Sequence, residues 1–279
     1  MDRNIAKAVA IVELLRPLDC TMAGFAALLG YWVSIGRVAV PATAILVAAS
    51  TFLICGAGMA INDYYDRMVD KKVKKARPIP SGRLTAPEAQ SIAISLFFLG
   101  IAVAFYANQA AFGVAVAFSI LLYVYSSRLS SLKYFGNAVV ALSTAFTFVM
   151  GASVSGNFAI VAILAAASFF STWAREITKD LEDYKADRGK KHTLPMLVGK
   201  KAAANAAILS TIVSIAIAVT PFAFGLTDSL LFAAVLAVSI AVFLQALLQL
   251  MAGKFAASQQ SYKYGMLLAL AAFACLLVP

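Results

Sequence analysis

Nine apolar stretches fill most of this chain: residues 11–35, 39–61, 87–107, 109–126, 135–154, 157–178, 203–224, 229–250 and 261–278. A helix needs about 17–25 mostly apolar residues to cross the hydrocarbon of a bilayer, and each stretch is that long. Backbone in lipid must satisfy its own polar groups, so such stretches fold as helices. The expected fold is an all-α bundle of about nine transmembrane helices. Ala, Gly and Ser recur within the stretches and let helices approach closely where lipid supplies no hydrophobic drive. Turn signals separate them at Gly36 with Pro41, Asn108-Gln109, Gly156-Asn157 and Thr227-Asp228. Spans 87–107 and 109–126 join tightly enough to predict a helical hairpin. Composition excludes the soluble alternative. The chain is 62% hydrophobic and 13% charged, where soluble domains run at about 45–50% and 25%. Glu13, Arg16 and Asp19 interrupt the place where the short apolar core of a cleavable leader would sit.

Basic residues set the orientation. With the N-terminus in the cytoplasm, every one of the 23 Lys and Arg residues except Arg37 falls on the inner side. The expectation is a multi-pass cell-membrane protein with its N-terminus and charged loops cytoplasmic and its C-terminus outside. A net charge of +10 would suggest nucleic acid in a soluble protein. Here the charge lies in loops beside apolar spans, so it points to membrane lipids and anionic, phosphorylated substrates instead. No nucleic acid and no obligate protein partner is inferred. Cys20, Cys55 and Cys275 show no metal-ligand spacing and read as small buried thiols. His192, the only histidine, cannot form a zinc site alone.

The 13 acidic residues are not spread evenly. Asp63, Asp66 and Asp70 form one D-x-x-D-x-x-x-D cluster. Asp180, Asp183 and Asp187 form a second, with Glu182 inside it, each aspartate displaced by the same 117 positions. Positions i, i+3 and i+7 share a helix face, so each cluster is expected to project three carboxylates from the end of a span. Four helices intervene, an even number, which puts both clusters on one membrane face. This reads as one domain, residues 1–279, of two motif-bearing halves, roughly 1–130 and 131–279. Facing carboxylates repel and would neutralise without cations. Mg²⁺ suits them, since it takes one or two carboxylates per ion and completes its shell with water and phosphate oxygens. Two facing rows around a pair of Mg²⁺ ions make a diphosphate site. Departure of that diphosphate leaves an allylic cation, which an apolar bundle shelters from water.

These residues resemble the UbiA superfamily of intramembrane prenyltransferases. The first motif, Asn62 to Asp70, resembles that family's N-D-x-x-D-x-x-x-D and is followed by Arg77-Pro78-Ile79-Pro80-Ser81-Gly82. The second resembles its D-x-E-D-x-x-x-D, followed by Thr193-Leu194-Pro195. Tyr125-Ser126, Leu132-Lys133 and Gly136-Asn137 resemble the stretch between the fourth and fifth helices. One departure is Lys72-Val73-Lys74-Lys75, where relatives often carry an apolar residue, Asn and Pro. The run Arg175 to Asp180 and the short chain are most similar to the archaeal ether-lipid branch. The resemblance implies a cytoplasmic-facing site that moves a geranylgeranyl group from its diphosphate to the hydroxyl of geranylgeranylglyceryl phosphate.

Carried over residue by residue, the resemblance assigns Asn62, Asp66, Asp70, Asp180, Asp183 and Asp187 to Mg²⁺. Asp63 supports the metal site or binds metal directly. Arg67 and Lys133 contact the diphosphate or serve as inner-face topology charges. Arg128 is a further candidate for a substrate phosphate. Arg16 holds the acceptor phosphate or pairs with Glu13 or Asp19. Tyr125 lies near the allylic centre or in the interfacial belt. A second reading keeps the donor and changes the acceptor to an aromatic ring of quinone or haem synthesis. A third, of another class, is a divalent-cation transporter, although such proteins place sites near the midplane of inverted repeats. A CDP-alcohol phosphotransferase is excluded because Arg67, not glycine, follows Asp66.

Overall fold

The structure is a computed structural model that describes residues 3–129, 133–187 and 193–277. Those residues form helices joined by short turns: α1 (Arg3–Leu15), α2 (Pro17–Ile35), α3 (Ala42–Val73), α4 (Ala86–Ala107), α5 (Gln109–Val124), a π-helical turn (Tyr125–Leu129), α6 (Lys133–Ala152), α7 (Ala159–Glu182), the short α8 (Tyr184–Asp187) and α9 (Leu194–Val198), α10 (Lys200–Ala223), α11 (Leu230–Met251) and α12 (Phe255–Cys275). No strand occurs among the described residues. Among the described residues eight helices, α2 to α7 with α10 and α11, are long and apolar enough to cross a membrane. Helix α12, the expected ninth, falls outside that set because Ser258, Gln259, Gln260, Ser261 and Lys263 occupy its first turns.

The first expected span is two helices. Arg16 adopts φ +50°, in the left-handed region, and Pro17 begins α2. Proline disfavours the right-handed helical conformation in the residue before it, so the chain breaks there. Its backbone still bridges the break, donating to the Val12 carbonyl and accepting from Cys20 N–H. Arg16 therefore lies at a helix junction and not inside a span.

The chain divides into two compact units. The first contains Met1–Tyr31, Val40–Ser130 and Met150–Gly156. Small residues bring its helices together. A Cβ on Gly151 would lie 1.9 Å from the Ala27 carbonyl oxygen, so this end of α6 meets α2 backbone to backbone. Ser50 Oγ of α3 donates to the Gly100 carbonyl of α4 at 2.7 Å. Asn108 joins α4 and α5 as the expected hairpin, its side chain accepting from Ala111 N–H and donating to the Ser153 carbonyl. Helix α4 starts in a capping box, Thr85 with Glu88, as that sequence spacing favours.

The second unit contains Trp32–Ala39, Ser131–Val149 and Asn157–Pro279. Here α7 packs on α10 and α12, and α11 on α10 and α12. Hydroxyls bind carbonyls across helices, Ser214 to Ala167, Ser239 to Gly265 and Ser258 to Ala246, each at 2.8 Å. The Thr211 and Tyr262 hydroxyls pair at 2.6 Å in the buried core. Cys20 is buried, whereas Cys55 and Cys275 are partly exposed, so the reading of three buried thiols holds for one.

Candidate active site

Helix length places the acidic residues. Helix α3 has 32 residues, and about 20 suffice to cross the hydrocarbon. Counting from Ala42, the crossing segment ends near Asn62, and the remaining turns carry Asp63, Asp66 and Asp70 beyond it. Helix α7 repeats the arrangement. It starts at Ala159, the same 117 positions after Ala42 as separate the aspartates, and its crossing segment ends near Asp180.

In the first unit the three aspartates lie on one continuous helix but do not share an environment. The Asp63 and Asp70 side chains are 5% and 6% exposed. Burying two carboxylates so deeply requires charged partners. Arg77 supplies one, its Nη1 lying 2.9 Å from Asp63 Oδ1 and 2.5 Å from Asp70 Oδ2. Arg16 supplies the other, its Nη2 donating to Asp63 Oδ1 at 2.8 Å. Lys74 stands 3.9 Å from Asp70. The pairing expected of Arg16 with Glu13 or Asp19 is corrected: Glu13 instead accepts from Arg83 at 2.6 Å. That bond pushes the Arg83 guanidinium further above its ordinary pKa. The half-buried Asp66 accepts from Asn62 Nδ2 at 3.2 Å.

Arg67 turns back on its own helix. Its guanidinium lies 4.5 Å from the Tyr64 ring centroid and donates to the Tyr64 carbonyl. Tyr125 opens the π-helical turn, half-buried, and this turn packs on α3. Single π turns occur disproportionately at functional sites. Arg128 on the same turn is exposed. Tyr65 and Tyr123 hydroxyls meet at 3.2 Å beside it.

In the second unit Asp180 is buried and accepts from Asn137 Nδ2 of α6 at 2.6 Å. Glu182 is exposed and accepts from Gln259. The expected single helix is interrupted here. Helix α7 ends at Glu182, Asp183 caps it with φ −77°, ψ −1°, and Asp187 falls on the separate short helix α8. The side chains of Lys133 and Asp187, and all of His192, lie outside the described residues.

Two polar residues quoted among the motifs were given no site role from sequence, Arg77 and Asn137. Arg77 stood among many loop cations, and its difference from them is visible only in the folded chain. Asn137 is an amide near the start of an apolar span, and intramembrane polar groups of that kind signal function or a buried partner. The donors gathered at both helix ends are hard oxygens, which suit Mg²⁺ and not a soft metal. Among the described residues no three Asp, Glu, His or Cys side chains converge to hold a metal by themselves. Carboxylate and amide oxygens suit a cation that takes one or two carboxylates and completes its shell with phosphate and water.

Comparison with known proteins agrees with this chemistry. The sequence pattern of the UbiA prenyltransferase family matches residues 23–277. Digeranylgeranylglyceryl phosphate synthase of Methanothrix thermoacetophila is 34% identical over 267 residues, covering 95% of this chain and 98% of the relative. The protein of the same name from Methanococcoides burtonii is 36% identical over 275 residues, covering 94% and 97%. A solved structure of digeranylgeranylglyceryl phosphate synthase superposes with a TM-score of 0.88 at 27% identity, covering 97% of this chain and 99% of that one. A UbiA homologue from Archaeoglobus fulgidus, solved with DMAPP and Mg²⁺, shares the fold with a TM-score of 0.68 at 19% identity, covering 96% and 98%.

Proposed function

The chain belongs to the UbiA prenyltransferase family, and from that premise we propose that it transfers a geranylgeranyl group to geranylgeranylglyceryl phosphate in the synthesis of archaeal ether lipids. The observation that carries the reading is the similarity, over nearly the whole chain, to synthases of that name. The two carboxylate groups at the ends of α3 and α7 supply the chemistry it requires.

In this reaction the acceptor hydroxyl oxygen bonds to the allylic carbon of the donor as the carbon–oxygen bond to diphosphate breaks. The hydroxyl proton and the diphosphate are released. Asn62, Asp66, Asp70, Asp180, Asp183 and Asp187 are assigned to Mg²⁺, with Asp63 supporting the first group. When bound, Mg²⁺ neutralises the charge that builds on the leaving diphosphate. Arg77 bridges Asp63 and Asp70, and Arg16 pairs with Asp63, so each buried carboxylate has a cationic partner. Asn137 orients Asp180 by donating to its Oδ2. Lys133, Arg128 and Arg67 are assigned to substrate phosphates, and Tyr125 to the allylic end of the donor. For Arg67 this assignment requires its guanidinium to leave the Tyr64 ring.

The reading extends to topology. The chain is a multi-pass membrane protein, and α12 is assigned as its ninth crossing. The N-terminus and both motifs are assigned to the cytoplasmic side of the cell membrane, and residues 1–279 act as one catalytic domain.

Prenyl transfer by purified protein tests the function. Geranylgeranyl diphosphate with Mg²⁺ is offered with geranylgeranylglyceryl phosphate or with 4-hydroxybenzoate, each with an EDTA control. Product with the glycerol phosphate alone, lost in EDTA, is the expected result. Product with the aromatic acid alone overturns the acceptor assignment.

A further inference from the structure

The reaction releases a proton from the acceptor hydroxyl, and none of the residues assigned so far receives it. A carboxylate suits that task if it lies near the reacting carbon and outside the metal set. In the second unit Asp180, Asp183 and Asp187 are assigned to Mg²⁺. Glu182 is exposed and bonded to Gln259, and Asp228 lies in the turn before α11. Glu176 remains.

Glu176 belongs to α7, a helix long and apolar enough to cross a membrane. Its side chain is 13% exposed and accepts from Arg175 Nη1 at 2.7 Å. Ionisable residues inside a span are costly and mark function by default. Stability does not account for the pair, because apolar residues of similar volume often serve folding as well as a buried ion pair. Two neighbours on the same helix are incomplete. Arg175 Nε and Thr172 Oγ1 are buried with no hydrogen-bond partner among the described residues, and Thr172 is 3% exposed. Buried polar groups are ordinarily paired. Unpaired ones beside a buried carboxylate point to a polar ligand that completes them.

The spacing identifies that ligand. Thr172, Glu176 and Asp180 stand at i, i+4 and i+8, on one face of α7. At 1.5 Å per residue, Glu176 lies about 6 Å and Thr172 about 12 Å inward from Asp180. A diphosphate held at Asp180 has its allylic carbon on the membrane side, where Glu176 stands.

We propose that Glu176 is the general base of the transfer. As the acceptor hydroxyl oxygen bonds to the allylic carbon, its proton passes to the Glu176 carboxylate. The electron pair of the breaking carbon–oxygen bond leaves with the diphosphate, and the neutral acid then returns the proton to water. Arg175 is a positioning residue that orients the carboxylate. The assignment rests on the prenyl-transfer reading.

Two readouts test it: kcat with geranylgeranylglyceryl phosphate, and calorimetric binding of geranylgeranyl diphosphate with Mg²⁺, which is independent of turnover. Glu176→Gln keeps an oxygen that accepts from Arg175 but removes the base. It should bind donor as wild type does and lower kcat by at least about 100-fold. Glu176→Asp keeps the charge and withdraws the carboxylate by one methylene. It should also bind donor normally and lower kcat by at least about ten-fold, because small displacements of a reacting group are costly. Wild-type kcat in either variant overturns the assignment. Loss of donor binding in step with kcat in both variants makes the pair structural and also overturns it. If the glutamine variant does not fold, the aspartate variant decides by the same two readouts. Absence of transfer to this acceptor by wild type overturns the acceptor reading as well.

Discussion

Arg77 shows how much one side chain decides. It reaches two buried carboxylates seven residues apart on α3 from a loop beyond the helix end. A guanidinium is always charged and presents donors in a planar fork, so lysine is not an equivalent replacement. Arg77→Gln should destabilise the protein by about 1–3 kcal/mol, below the ~3–5 of a fully buried pair because Arg77 is 23% exposed. Thermal unfolding in detergent measures this. The surface pair Arg83 with Glu13 is the control, and Arg83→Gln should cost about 1 kcal/mol or less. Asp66 and Asp183 are the test of chemistry. Asp66→Asn and Asp183→Asn should lower transfer by at least about 100-fold while size-exclusion profiles stay those of wild type. Full activity in either variant excludes its carboxylate from the site.

At the scale of elements, close approach sets what each position tolerates. Gly151 on α6 meets Ala27 and Tyr31 of α2 at distances that admit no side chain. Gly151→Ala forces the helices apart and should cost about 1–3 kcal/mol. Gly113 on α5 has nothing within 4 Å of where a Cβ would stand. Gly113→Ala should raise stability by about 0.5–1 kcal/mol, the difference in helix preference between the two residues. Unfolding midpoints of the pair separate packing from propensity, and equal shifts would discard the close-approach account. The same scale explains why the two motifs differ. Helix α3 runs through its aspartates to Val73, while α7 stops at Glu182 in the middle of its own set. Identical spacing in sequence thus falls on one continuous helix in the first motif and on two in the second.

For the whole molecule, orientation is the property to measure. Ser81 lies between α3 and α4, and Asp228 between α10 and α11; both are exposed. In a cysteine-free background, Ser81→Cys should react with a membrane-impermeant thiol reagent only from the cytoplasmic side. Asp228→Cys should react only from outside. Reversed labelling would overturn the orientation. A shared side would overturn the helix count between them.

Apolar length and charge distribution are local in the chain, so the sequence alone determined the helical class, the existence of each crossing segment from α2 to α11 and the identity of the two acidic motifs. The turn at Asn108 was equally legible, because caps act within a few residues of themselves. The break at Arg16 was written in Pro17 but masked by the apolar run around it. Which cation meets which carboxylate was not legible. Arg16 lies 47 positions from Asp63 and Asn137 lies 43 from Asp180. Glu13 and Asp19, nearer in sequence, are passed over. Only the tertiary structure decided those pairs, because a buried carboxylate takes the partner that packing brings to it, and packing depends on where separate helices cross.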